Sequence, residues 1–299
     1  MILVAGGSGF IGSAVVRRLV ELGADVSVMT AHPDGTSEKI HSMGARAVPG
    51  DVLDPGSLER AVRGAEVVIQ VLTFPTFPTE KPRRRFTFEE FDHRGTERMV
   101  TAASGAGVGR FVFGSGSGAA PDAPHVWFRA KWGGEEAVRR SGMEHAIVRP
   151  SWVYGPEDRA LNRFVTFHRW LPVVPVVGDG RQRLQPVFID DVAEVFAQAA
   201  LRQPPSGTYE LGGPEEMTMN EVLETMMEVR GRRKPLAHVP AALPRLAGLF
   251  LQFLPNPPLS PQAVEFVTGD ALADTAPLLA AFELKLTRLW DGLRSYLAR

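Results

Sequence analysis

The chain has no cysteine among its 299 residues, which removes disulfides, thiolate metal ligands and cysteine nucleophiles together and leaves the redox compartment open. Excess charge of either sign is missing as well. Lys and Arg number 33 against 34 Asp and Glu, so no strong field draws the chain to nucleic acid or to an anionic membrane. No apolar run approaches the roughly 20 residues needed to span a bilayer, and the apolar start, Met1–Ala5, is far shorter than a signal-peptide core. These absences point to a soluble, cytoplasmic protein of small-molecule chemistry, with neither a nucleic-acid partner nor a transmembrane segment.

What the chain does contain is alternation. Short β-branched runs at Ile2–Ala5, Asp25–Met29, Ala45–Val48, Val67–Val71, Arg110–Phe113 and His145–Val148 alternate with longer amphipathic stretches, the pattern of a parallel sheet wrapped by helices. The fold class predicted is α/β, a Rossmann doubly wound parallel sheet. After Pro150 the composition shifts toward Pro, Trp, Phe and Leu, which predicts a smaller α/β region over 151–299 beside a dinucleotide-binding domain over 1–150, with some strands and helices returning to the first sheet. Short strands are expected near Leu184–Ile189 and Gly207–Leu211. Helices are expected near Asp191–Leu201, Thr218–Arg230 and Leu243–Leu254.

The sharpest motif is Gly6-Gly7-Ser8-Gly9-Phe10-Ile11-Gly12, directly after a strand and at the mouth of a helix. Gly6 permits a tight turn, Gly9 close approach to a pyrophosphate, and Gly12 packing of helix on strand. The phosphates would rest on free N–H groups at the helix N-terminus. Asp51, followed by Val52, ends the third strand and can accept from an adenine amino group, while Asp54 and Ser57 suit the N-cap of the next helix. Selectivity for NAD needs an acid at the end of the second strand, and NADP needs a basic group nearby. Here stand Met29, Thr30, Ala31 and His32, and the hydroxyl of Thr30 with the imidazole of His32 favours NADP over NAD. Leu72 and Pro150, at later strand ends, complete the expected dinucleotide contacts.

The glycine motif, the helix carrying Lys131 and the segment Val148-Arg149-Pro150-Ser151-Trp152-Val153-Tyr154-Gly155-Pro156 together resemble an extended or atypical short-chain dehydrogenase/reductase of the NAD-dependent epimerase/dehydratase kind. Gly178-Asp179-Gly180, Gln185 through Ala193, Tyr209 through Pro214 and the tail Leu259–Val267 are similar to the branch of the dehydrogenase-like accessory subunit of respiratory complex I. The resemblance implies a Ser, Tyr and Lys constellation, with Tyr and Lys four residues apart on one helix face. Lys holds the nicotinamide ribose and lowers the phenol's pKa, and the phenol moves the proton that accompanies hydride transfer. Ser115 and Lys131 stand at their expected places, but the tyrosine position is Trp127. An indole N–H donates a hydrogen bond and cannot shuttle a proton. A second departure is Asp92, three residues before Gly95, where relatives commonly carry Asn or His; an acid there would alter the relay near Lys131 or pair with it.

Three readings stay open: binding without turnover, a proton from Tyr154, His125 or His93, or a relay through water. The functional candidates are accordingly an NAD(P)-binding oxidoreductase-like protein with impaired or altered proton transfer, a non-catalytic dinucleotide-dependent assembly or redox-sensing module with a protein partner, and a nucleotide-sugar epimerase or dehydratase. Trp152, Phe164, Phe167 and Trp170 are read mainly as core, although they can also line a substrate pocket. Lys81, Arg83, Arg84 and Arg85 read as a solvated run. The apolar helix expected over Leu243–Leu254 is too short to span; it can cap a pocket, bury itself in a homodimer interface or lie on a membrane surface. Packing within the protein is favoured.

Overall fold

A computed structural model describes residues 1–74, 80–82, 85–240, 242–243 and 268–298. The expected alternation is realised as β1 (Ile2–Ala5), α1 (Phe10–Glu21), β2 (Val26–Thr30), α2 (Pro33–Ser42), β3 (Arg46–Pro49), α3 (Pro55–Ala61) and β4 (Val67–Gln70). A π-helical turn at Glu89–His93 leads into α4 (Arg94–Gly105), followed by β5 (Arg110–Gly114), α5 (Val126–Arg140) and β6 (Glu144–Pro150). Side chains of β1 alternate across the sheet. Ile2 and Val4 join the core under α1 and α2, while Leu3 and Ala5 join a second core under α3, α4 and α5. A strand buried on both faces has no polar side, which is why these strands read as continuous apolar runs.

Further on lie β7 (Val153–Tyr154), α6 (Leu161–Trp170), β8 (Val174–Val177), β9 (Arg183–Leu184), β10 (Val187–Phe188), α7 (Ile189–Leu201) and β11 (Gly207–Leu211). Then come β12 (Met217–Thr218), α8 (Met219–Val229), β13 (Leu236–Val239), α9 (Ala276–Ala281) and α10 (Leu289–Leu297). β11 pairs parallel with β6, giving a seven-stranded sheet in the order β11-β6-β5-β4-β1-β2-β3. α7 packs on α1, so elements from beyond Pro150 complete the first sheet. The remaining short strands pair two by two as β7 with β10, β8 with β13 and β9 with β12. α8 opens with a capping box in which Thr218 and Glu221 satisfy each other's backbone N–H groups, the strongest local start signal in this half.

Two expectations need correction. The single strand near Leu184–Ile189 is two strands in different sheets, because Gln185 and Pro186 break it and Ile189 already begins α7. Trp170 is not core: it is 73% exposed, with the Arg169 guanidinium 5.1 Å from its ring. Trp152, Phe164 and Phe167 are half-buried. The apolar helix expected over Leu243–Leu254 lies, apart from Leu243, outside the described residues, as do the tail Leu259–Val267 and Arg83 and Arg84. Lys81 and Arg85 are exposed, and Arg85 pairs with Glu90 at 3.0 Å. Among the described residues no helix is long and apolar enough to cross a membrane.

Candidate functional site

The strand order reverses between β1 and β4, and a doubly wound sheet opens its ligand crevice at the carboxyl ends of such a pair. Gly6 follows β1 there with φ +86, and a Cβ on it would lie 2.7 Å from the Leu72 backbone nitrogen after β4. A Cβ on Gly12 would stand 2.1 Å from the Gly6 carbonyl oxygen. These two positions require glycine for steric reasons alone, and together they bring the turn, α1 and the end of β4 into contact. α1 then begins at the N-cap Gly9 with no side-chain cap and no acid in its first turn. A helix start left uncapped in a crevice favours an anion, by its free N–H groups and its dipole. Gly7 is buried, its Cβ position blocked by Val28, while Ser8, Phe10 and Ile11 are half-buried along the turn. The backbone therefore fits a pyrophosphate.

Asp51 lies two residues beyond the end of β3, in the turn before α3, with Oδ1 accepting from Leu53 N–H at 2.9 Å. The N-cap of α3 is Asp54, which accepts from Gly56 N–H, so Asp51 is not consumed in capping. Val52 is buried against Gly95 and its carbonyl accepts from Arg98. Thr30 Oγ1 lies 2.7 Å from Thr36 Oγ1 and accepts from His32 N–H. His32 is exposed at the N-cap of α2. Pro150 accepts from Ser117 N–H at 3.0 Å, which ties the β6 end to the loop after β5.

The centre around Lys131 is closed. Its ammonium is 3.0 Å from Asp92 Oδ1, and it donates to the Gly114 carbonyl at 3.0 Å and the Leu72 carbonyl at 3.3 Å. Lys131 and Asp92 are each 1% exposed. Two carbonyls therefore take hydrogen bonds from the ammonium, and Asp92 faces it as an ion pair with Oδ1 outside hydrogen-bond alignment. Burial pushes the Asp92 carboxyl up, opposed by Lys131, by the Phe74 N–H and by the Trp127 indole beside it. Of the alternatives raised by the sequence for Asp92, pairing with Lys131 is the geometry seen.

Ser115 is tied elsewhere. Its hydroxyl donates to Glu135 Oε1 at 2.6 Å, and the fully buried Glu135 also receives a two-pronged contact from Arg149, at 2.7 Å to each oxygen, and one from Arg139 at 2.6 Å. Trp132 stacks under both guanidinium groups. Such forked, charge-assisted bonds fix geometry strongly, so α5, β6 and the Ser115 loop behave as one rigid corner. Sequence reasoning missed Glu135 and Arg149. Glu135 stands four residues after Lys131 on the same helix face, and Arg149 lies inside the segment that carried the resemblance.

None of the substitute proton donors reaches this centre. Tyr154 is fully buried, packs on Phe188 and Gly292, and donates to the Arg288 carbonyl; burial drives its pKa far up. His93 sits between Glu89 and Glu97 and covers Gly133. His125 is the N-cap residue of α5 and packs on Phe128. Among the described residues no cluster of three or more His, Asp or Glu could hold a metal.

The family model described as the NAD dependent epimerase/dehydratase family matches residues 2–212, and the chain belongs to that family, a group of extended short-chain dehydrogenases/reductases. It is 33% identical over 234 residues to the mitochondrial NADH dehydrogenase [ubiquinone] 1 alpha subcomplex subunit 9 of Arabidopsis thaliana, covering 76% of this chain and 57% of that one. The chain thus spans less than two thirds of that subunit's length. It is 28% identical to the NAD(P)H azoreductase of Xenophilus azovorans, covering 81% of this chain and 78% of that one. The Escherichia coli NADPH-dependent quinone oxidoreductase, solved with NADPH, shares the fold with a TM-score of 0.77 at 17% identity, covering 99% of each chain.

Proposed function

We propose that the chain binds a nicotinamide dinucleotide on the α1 start and holds it without the tyrosine-dependent proton transfer of its superfamily. Gly6, Gly7, Ser8, Gly9, Phe10, Ile11 and Gly12 would hold the pyrophosphate. Asp51 would hold the adenine, with Val52, Leu72 and Pro150 walling the cleft. The bound nicotinamide would supply or accept a hydride.

One observation carries the reading on turnover: Lys131 is buried against Asp92 and two carbonyls, with Trp127 one turn before it on α5. A lysine in that state is held by two carbonyls and an ion-paired carboxylate, and it has no phenol beside it to activate. The serine that would orient a substrate oxygen is engaged by Glu135. The protein is therefore oxidoreductase-like, with proton transfer impaired or altered. A dinucleotide-dependent assembly or redox-sensing role is the second reading, favoured by the Arabidopsis relative's name as a subunit of an NADH dehydrogenase. Nucleotide-sugar epimerisation or dehydration needs the same proton shuttle and is disfavoured.

Titration of the purified chain with NADP(H) and NAD(H), with mass analysis of any ligand that copurifies, tests the binding half. Saturable binding of either dinucleotide is expected; no binding of either at millimolar concentration contradicts the proposal.

A further inference from the structure

We propose that Lys39 reads the cofactor's 2′ position, so that the site selects the 2′-phosphorylated dinucleotide; this rests on the dinucleotide-binding reading above. In doubly wound folds the adenosine ribose lies at the end of the second strand, where an acid accepts from a 2′-hydroxyl and a basic group neutralises a 2′-phosphate. The end of β2 carries no acid: the residues are Met29, Thr30, Ala31 and His32.

α2 lays one face across this strand end and the glycine turn. Thr36 meets Thr30 at 2.7 Å, and three residues on, Lys39 Nζ donates to the Ser8 carbonyl at 2.9 Å. Residues three apart share a helix face, so the ammonium stands at the lip between turn and strand end. The side chain is 46% exposed, and its carboxylate neighbour, Glu157, is 3.9 Å away. Glu157 is itself half-exposed and shared with Arg17 at 3.4 Å. A pair that long and that wet is weak, whereas a phosphate offers a charge-assisted bond to the same ammonium. Asp34, the acid in the first turn of α2, lies five residues before Lys39, well around the helix from it. Thr30 holds α2 in place. Lys39 supplies the charge.

The test is calorimetric titration of the full chain and of Lys39→Met, Lys39→Arg and Glu157→Gln with NADPH and with NADH. The wild type is expected to prefer NADPH by about tenfold or more, as for one charge-assisted contact to phosphate. Lys39→Met should lose most of that ratio while its NADH affinity stays put, and Lys39→Arg should keep it. Glu157→Gln should tighten NADPH only, and added salt should weaken NADPH more than NADH. A circular dichroism spectrum confirms that each variant is folded. Equal weakening of both ligands by Lys39→Met would mean that Lys39 merely props the turn, and an unchanged ratio would mean another group reads the phosphate; either result overturns the inference while leaving dinucleotide binding intact. Absence of binding for both ligands in the wild type overturns the binding reading and this inference together.

Discussion

The start of α1 and the centre around Lys131 meet at Leu72 and are built on opposite terms. At the turn the chain leaves helix N–H groups uncapped, keeps acids out of the first turn, and uses glycine where any side chain would collide. At the Lys131 centre the ammonium is already met, by Asp92 and two carbonyls, and the serine hydroxyl by Glu135. On the function proposed above, an open anion site beside a closed acid–base site would separate holding a dinucleotide from turning it over.

The comparison can be broken from its closed side first. Asp92→Ala would strand the Lys131 charge in the interior, and removing one partner of a buried pair costs about 3–5 kcal/mol. Urea unfolding should show that loss, and the double variant Asp92→Leu with Lys131→Met should recover most of it. If the double variant is as unstable as the single one, the pair is not what stabilises this corner. Glu135→Gln, which weakens the forked contact to Arg149, should cost about 1.5–3 kcal/mol, the usual range for hydrogen bonds to charged groups. Chemical denaturation would read it, and a cost near zero would contradict the rigid-corner account.

On the open side, Gly12→Ala forces a Cβ against the Gly6 carbonyl. It should cost about 1–3 kcal/mol by overpacking and lower dinucleotide affinity by titration, whereas Glu135→Gln should leave that affinity nearly unchanged. The smallest expected effect lies far from the cleft. His168 is buried, with Nδ1 accepting from Arg230 and Nε2 donating to the Arg232 carbonyl, and burial pushes its pKa below the usual 6.5. The unfolded chain therefore takes up the proton first as pH falls through about 6.5, and stability should decline below that pH until the folded imidazole also titrates. Comparing pH–stability curves with those of His168→Gln measures it; a wild-type curve that is no steeper in this window excludes His168 as a source.

How much of this was legible in the sequence follows from where the information is local. The sheet strands before Pro150 and the glycine turn were readable because a doubly buried strand and a strand–turn–helix carry their signatures within a few residues. Leu184–Ile189 was misread because the break at Gln185 and Pro186 does not show which partner each half pairs with. Asp92 could be singled out by its place before Gly95, yet whether it relays protons or pairs with Lys131 depends on two helices meeting. Glu135 and Lys39 look like ordinary helix charges in the sequence. Only the packing puts one fully inside against two arginines and the other over the glycine turn.

The most direct test of the separation between holding and turnover is a single-turnover experiment. Protein loaded with NADPH is mixed with a panel of carbonyl and quinone acceptors, and the reduced-nicotinamide absorbance is followed for the wild type, for Trp127→Tyr and for Trp127→Tyr combined with Asp92→Asn. The account predicts a wild type that binds and does not oxidise its cofactor, a single variant scarcely faster because Lys131 stays engaged by Asp92, and a double variant that gains rate. Oxidation by the wild type as fast as by the double variant would contradict it.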